Sequence, residues 1–252
     1  MKKIYSRLSK QVLDSLVVII LLTLIFAYND RKEVTTIASW TSNVVLTFVV
    51  VTLSVLFLVL GYKLAARYYG NTITFKLWAI SREEGIFSMK AYHIPLTKYF
   101  GQILAIFLTL ISSGLVYFTA ISTFSGEIKS KRKKFRQVTG YESAMTSIMG
   151  LVFSFMALFF FKSVGSELGV LINTWIIVGN IIPFSSLPGE YIAMKSRTSY
   201  IFVAALSVFL LILIGVLSIK AAVAIALILA VILTIVYFRY MEYKGKIFGD
   251  RF

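Results

Sequence analysis

The 252-residue chain has no cysteine, one histidine, three prolines and only 11 acidic residues. The missing cysteines exclude disulfides, iron–sulfur clusters and thiolate metal sites. A lone histidine, His93, excludes a multi-histidine metal site. Charge is scarce too: 15% of residues are charged and 58% are hydrophobic, with a mean hydropathy of +0.85. A soluble domain has roughly 25% charged residues and about 45–50% apolar ones. So much apolar surface has no use against water, and a bilayer is the solvent it requires. No polar linker is long enough to divide the chain, so one membrane domain over 1–252 is expected, all-α and polytopic.

What the chain does have is long apolar runs. A spanning helix needs about 20 mainly apolar residues, and six runs qualify: 11–28, 41–62, 143–162, 168–184, 199–218 and 221–238. The first follows a basic N-terminus but lacks a small-residue cleavage pattern before Asn29-Asp30-Arg31-Lys32-Glu33, so it reads as a retained helix. A seventh stretch, 100–124, is ambiguous. Lys and Arg concentrate on the cytoplasmic side of membrane proteins, and six lie between Lys129 and Arg136. A crossing at 100–124 would put that cluster outside. A re-entrant hairpin over about 100–140 keeps it in, with both termini cytoplasmic and 22 of the 26 basic residues inside. Gly101, Ser112-Ser113-Gly114 and Ser125-Gly126 punctuate the stretch, and Leu115–Ile121 is rich in strand formers. A second short hairpin is expected within 71–92.

The formal net charge of +15 follows from this topology and from attraction to anionic lipid. Nucleic acid is not an expected partner, because the Lys129–Arg136 cluster offers only Phe135 for base contact. Gly150, Gly165, Gly169, Gly179 and Gly215 lie in or beside spans, where small residues allow close helix approach.

Two segments stand out from the apolar background. One is Leu58-Val59-Leu60-Gly61-Tyr62-Lys63-Leu64-Ala65-Ala66-Arg67-Tyr68-Tyr69-Gly70; the other is Asn180-Ile181-Ile182-Pro183-Phe184-Ser185-Ser186-Leu187-Pro188-Gly189. Together they resemble the two signature regions of the site-2 protease family, the intramembrane zinc metalloproteases, in its archaeal-type branch. The first resembles His-Glu-x-x-His followed by Lys, an apolar run, Arg, Tyr and Gly. The second resembles Asn-x-x-Pro-x-x-x-Leu-Asp-Gly, with Asn180, Pro183, Leu187 and Gly189 in register. The resemblance implies a site-2-protease-like core.

The chemistry does not carry over. Such a protease needs two imidazoles at i and i+4 with a glutamate between them as base, and the matching positions are Leu58, Val59 and Tyr62. The aspartate ligand falls on Pro188. Leucine and proline side chains offer no donor atom, and a tyrosine of pKa about 10 is a poor ligand at neutral pH. No metal or cofactor is therefore expected. His93 reads as an interfacial, hydrogen-bonded residue, and Glu190 as facing water or pairing with Lys195 or Arg197. Asn180, Pro183 and Gly189 persist, and the resemblance places them by the cleft where a substrate helix unwinds. Asn180 either serves such a groove or joins helices at roughly 1 kcal/mol.

The expectation is a catalytically inactive relative, a pseudoprotease, in the cell membrane, with lipid and a partner's transmembrane or juxtamembrane segment as its contacts. Two alternatives remain open. One is an active peptidase with a rearranged site, with Ser185-Ser186 as candidates. The other is a transporter or channel subunit, which the near absence of charge within the spans disfavours.

Overall fold

The computed structural model describes residues 2–28, 37–79, 99–128 and 138–249. His93, the Lys129–Arg136 cluster and the remainder of the 71–92 stretch beyond 79 lie outside the described residues. The described residues are 77% helical, and the chain divides into two compact units, residues 1–191 and 192–252.

The first unit contains α1 (Lys2–Ala27), α2 (Ile37–Tyr68), β1 (Asn71–Leu77), α3 (Phe100–Ile111), β2 (Ser122–Ile128), α4 (Gly140–Ser163), α5 (Glu167–Ile181) and the start of α6 (Pro188–Lys195). The second contains α7 (Arg197–Leu213) and α8 (Ile219–Gly249), which pack on each other. Among the described residues, three helical segments are long and apolar enough to cross a bilayer: Ile37–Tyr68, Gly140–Ser163 and Ile219–Met241. Gln11–Ala27, Phe100–Ile111, Glu167–Ile181 and Arg197–Leu213 are shorter apolar helices.

α2 is apolar on its exposed face as well as on its buried one, unlike a soluble surface helix. Leu46, Val49, Leu53, Leu56, Leu60 and Leu64 form an exposed stripe, while Thr47, Ser54, Gly61 and Tyr62 are buried. Water would drive those leucines inward; hydrocarbon leaves them outside and puts small and polar groups between helices. α4 repeats the pattern, exposing Met149, Val152, Met156 and Phe160 and burying Ser147, Gly150, Ser154 and Ala157. The two helices approach so closely that a Cβ on Gly61 would stand 2.6 Å from the Met149 carbonyl oxygen. A Cβ on Gly150 would lie 2.0 Å from the Tyr62 ring.

The regular non-helical structure among the described residues is a ribbon. β1 pairs antiparallel with β2, from Asn71 opposite Ile128 to Leu77 opposite Ser122. The strand formers Leu115–Ile121 are not part of it. That segment instead lies along α5: the Thr119 hydroxyl donates to the Trp175 carbonyl, and the Tyr117 and Trp175 rings meet at 5.7 Å. Side-chain packing has taken up most of its residues, and pairing reaches only its last one, where the Ile121 carbonyl accepts from the Trp78 amide at 2.8 Å. The 71–92 stretch contributes β1 to this joint ribbon, and the rest of the hairpin expected there lies outside the described residues.

Two polar contacts anchor the ribbon. At its start, Asn71 Nδ2 donates to Glu142 Oε2 at 3.0 Å. Glu142 also closes a capping box with Thr139 at the head of α4, an arrangement that satisfies two helix-end donors. At its far end, Gln102 Nε2 of α3 donates to the Trp78 carbonyl at 3.2 Å.

Candidate functional site

The residues of the two signature-like segments meet through Tyr62. Its hydroxyl donates to Asn180 Oδ1 at 2.8 Å, a bond between α2 and α5 across 118 residues of sequence. Asn180 Nδ2 donates in turn to the Ile176 carbonyl at 2.7 Å. Tyr62 is 1% exposed, Leu58 2% and Asn180 5%. Leu58 and Tyr62 share one face because they stand one helical turn apart; Val59 turns off that face and is half-buried.

Around Tyr62 the packing is aromatic. Its ring lies 4.8 Å from that of Phe124 on β2, and Phe124 lies 5.2 Å from Tyr191 on α6. The Tyr62 ring also rests on Gly150, where only a missing side chain leaves room. One phenol, a hydrogen bond and two further rings fill the interior beside Leu58 and Asn180.

α5 ends at Ile181 because Ile182 precedes Pro183, and a residue before proline is pushed to extended backbone; Ile182 has φ −55° and ψ 121°. Ile182, Pro183 and Phe184 are exposed, whereas Leu187, Pro188 and Gly189 are buried. Gly189 turns back so tightly that a Cβ would stand 2.2 Å from the Ile181 carbonyl oxygen. The 182–187 loop is clamped from several directions. Trp78 Nε1 donates to the Ser185 carbonyl at 2.7 Å, and the Thr123 hydroxyl donates to the Ser186 carbonyl. The Ser186 amide donates to the Glu190 carboxylate, and Ser186 sits at φ +63°. Glu190, half-buried, thus bonds back onto its own loop. Residue-type reasoning missed Trp78, Thr119 and Phe124; the pairing that would have revealed them is long-range.

Along α5, the 119–120 segment presses on Gly179 with side chain and main chain: a Cβ there would lie 2.6 Å from Thr119 Oγ1 and 3.0 Å from the Ala120 nitrogen. The chain's own extended segment therefore lies beside Asn180's neighbour.

A zinc ion of the kind the resemblance implies does not fit these residues. Leu58 and Pro188 supply no donor, and the Tyr62 hydroxyl is engaged by Asn180. Among the described residues, no three His, Asp or Glu side chains cluster as metal ligands. No family model, curated protein or solved structure matches the chain.

Proposed function

We propose that this protein is a non-catalytic relative of the site-2 proteases, which holds a membrane segment of another protein without cutting it. The observation that carries this reading is the Tyr62–Asn180 hydrogen bond. It joins a position matching a lost zinc ligand to a position the family motif retains, and it closes the space between them. The binding edge is the exposed, non-helical Ile182–Phe184 turn beside the filled interior. Backbone freed from a helix at membrane depth needs protein or water to satisfy it, and an extended partner segment meets that need.

The proposed topology has six spans in the cell membrane, both termini cytoplasmic, and a segment at 100–140 that enters and returns. Three features support the return. α3 has 12 residues, about 18 Å of helix, against a hydrocarbon core of about 30 Å. It turns at Ser113 and Gly114, both at positive φ. β2 then pairs with β1, which directly follows α2, while Asn71 bonds Glu142 at the head of α4. The end of α2 and the start of α4 thus share one end of the unit.

The cysteine-free chain permits a clean test of the kinship. Leu58→Cys/Pro188→Cys should be joined by a short thiol-reactive cross-linker within one chain; a folded double variant that never cross-links removes the family assignment. The binding role is tested by a photo-reactive residue in place of Phe184, with one in place of Leu58 as the buried control. Intact partner transmembrane peptides attached at 184 and not at 58 are expected, and partner fragments cleaved by the purified protein would overturn the non-catalytic reading.

A further inference from the structure

A cavity of about 650 Å³ lies away from Tyr62, between the end of α1, the first turns of α2, the Tyr117 segment and the α4–α5 turn. Ligand pockets are typically about 300–1,000 Å³. Phe26 and Tyr117 line it as a stacked pair, ring centroids 4.8 Å apart and planes 22° apart. Its polar lining is Asn43, Thr174, Lys162 and Glu167. None of these four side chains has a hydrogen bond or ion pair with another described residue. Lys162 and Glu167 stand on opposite sides of one turn, each favourably placed on its own helix end, yet they do not pair with each other.

The cavity therefore presents charges of both signs, an amide and a hydroxyl, together with an aromatic wall. Phe26 and Tyr117 are themselves buried, so it is the two opposite charges that call for a ligand, and a zwitterion meets both. The exposed Leu115 and Val164, next in sequence to the cavity's surroundings, extend an apolar surface on which hydrocarbon chains can continue.

We propose that this cavity binds the head group of a phospholipid carrying a primary amine, with its phosphate at Lys162 and its ammonium at Glu167. Asn43 and Thr174 meet the ester and glycerol oxygens. A primary ammonium has three N–H donors for a carboxylate; a quaternary choline has none, and an anionic head group would bring a second negative charge to Glu167. The inference does not depend on the site-2 protease reading.

The chain's charge of +15 alone would favour anionic lipid, so selectivity distinguishes a built site from general attraction. The full-length protein, purified in detergent, is titrated with phosphatidylethanolamine, phosphatidylcholine and phosphatidylglycerol of matched chains. Native mass spectrometry and the shift in unfolding temperature report binding. Phosphatidylethanolamine should bind roughly tenfold tighter than either other lipid, the scale of one charge-assisted hydrogen bond. Glu167→Gln should abolish its advantage over phosphatidylglycerol, and Lys162→Ala should weaken both. Both side chains are exposed, so the fold should tolerate the changes. Equal binding of the three lipids, or selectivity unaltered by Glu167→Gln, would overturn the proposal. Binding of water-soluble glycerophosphoethanolamine as tight as that of the lipid would overturn the lipid assignment and make the ligand a soluble zwitterion.

Discussion

Replacing Tyr62 by phenylalanine removes one oxygen and little else. The ring keeps its seat on Gly150 and its contact with Phe124, so the apolar contribution is unchanged. What is lost is the partner of Asn180 Oδ1, on a side chain only 5% exposed. A buried acceptor left without a donor costs about 1–3 kcal/mol. Hydrogen bonds between membrane helices measure nearer 0.6–2 kcal/mol, because the unfolded chain in lipid also finds partners. Tyr62→Phe should therefore destabilise by about 1–2 kcal/mol. Asn180→Leu, which strands the tyrosine hydroxyl, should cost a similar amount. The double variant strands nothing, and replacing both partners by apolar groups of similar shape is nearly neutral. It should then be at least as stable as either single variant. Equilibrium unfolding in mixed micelles, with all four proteins in the same conditions, gives the coupling directly. Strictly additive losses would show that the two side chains do not share a bond, and the filled-site reasoning would fall with them.

Gly150→Ala places a methyl 2.0 Å from the Tyr62 ring and should destabilise by about 1–3 kcal/mol through overpacking; the same unfolding assay checks it, and a neutral result would mean that α2 and α4 are less closely packed than described. Trp78→Phe removes the indole donor to the Ser185 carbonyl and should raise hydrogen exchange in the 185–189 amides more than in α4. Glu142→Ala breaks the capping box and strands Asn71; a loss of about 1–3 kcal/mol is expected, measured by thermal unfolding with Glu142→Gln as the milder comparison.

How much of this was legible in the sequence depends on whether the cause was local. Apolar runs located α2, α4 and α8, because bilayer solvation acts on each helix separately. α5 ran three residues short of its apolar stretch, since Pro183 forces Ile182 out of the helix. The ribbon was misplaced because β-propensity measures how a side chain packs rather than which strand it pairs with. Thus Tyr117 and Thr119 lie against Trp175 on α5, while the less obviously strand-like Ser122–Ile128 forms the ladder. Tyr62 and Asn180 were each singled out, one as a degenerate position and the other as a retained one. Their bond was not foreseen, although a phenol donor and an amide acceptor at these two positions were the available signal. The Trp78 and Thr123 clamp on the 182–187 loop left no such signal, because its acceptors are carbonyls that every residue possesses.

Metal content tests most directly whether the space around Tyr62 and Asn180 is closed to catalysis. The full-length protein, purified without chelators in the presence of micromolar zinc and then desalted, should carry essentially no tightly held zinc by elemental analysis. Tyr62→Phe should leave that value unchanged. About one zinc per chain, resisting dialysis, would contradict the account.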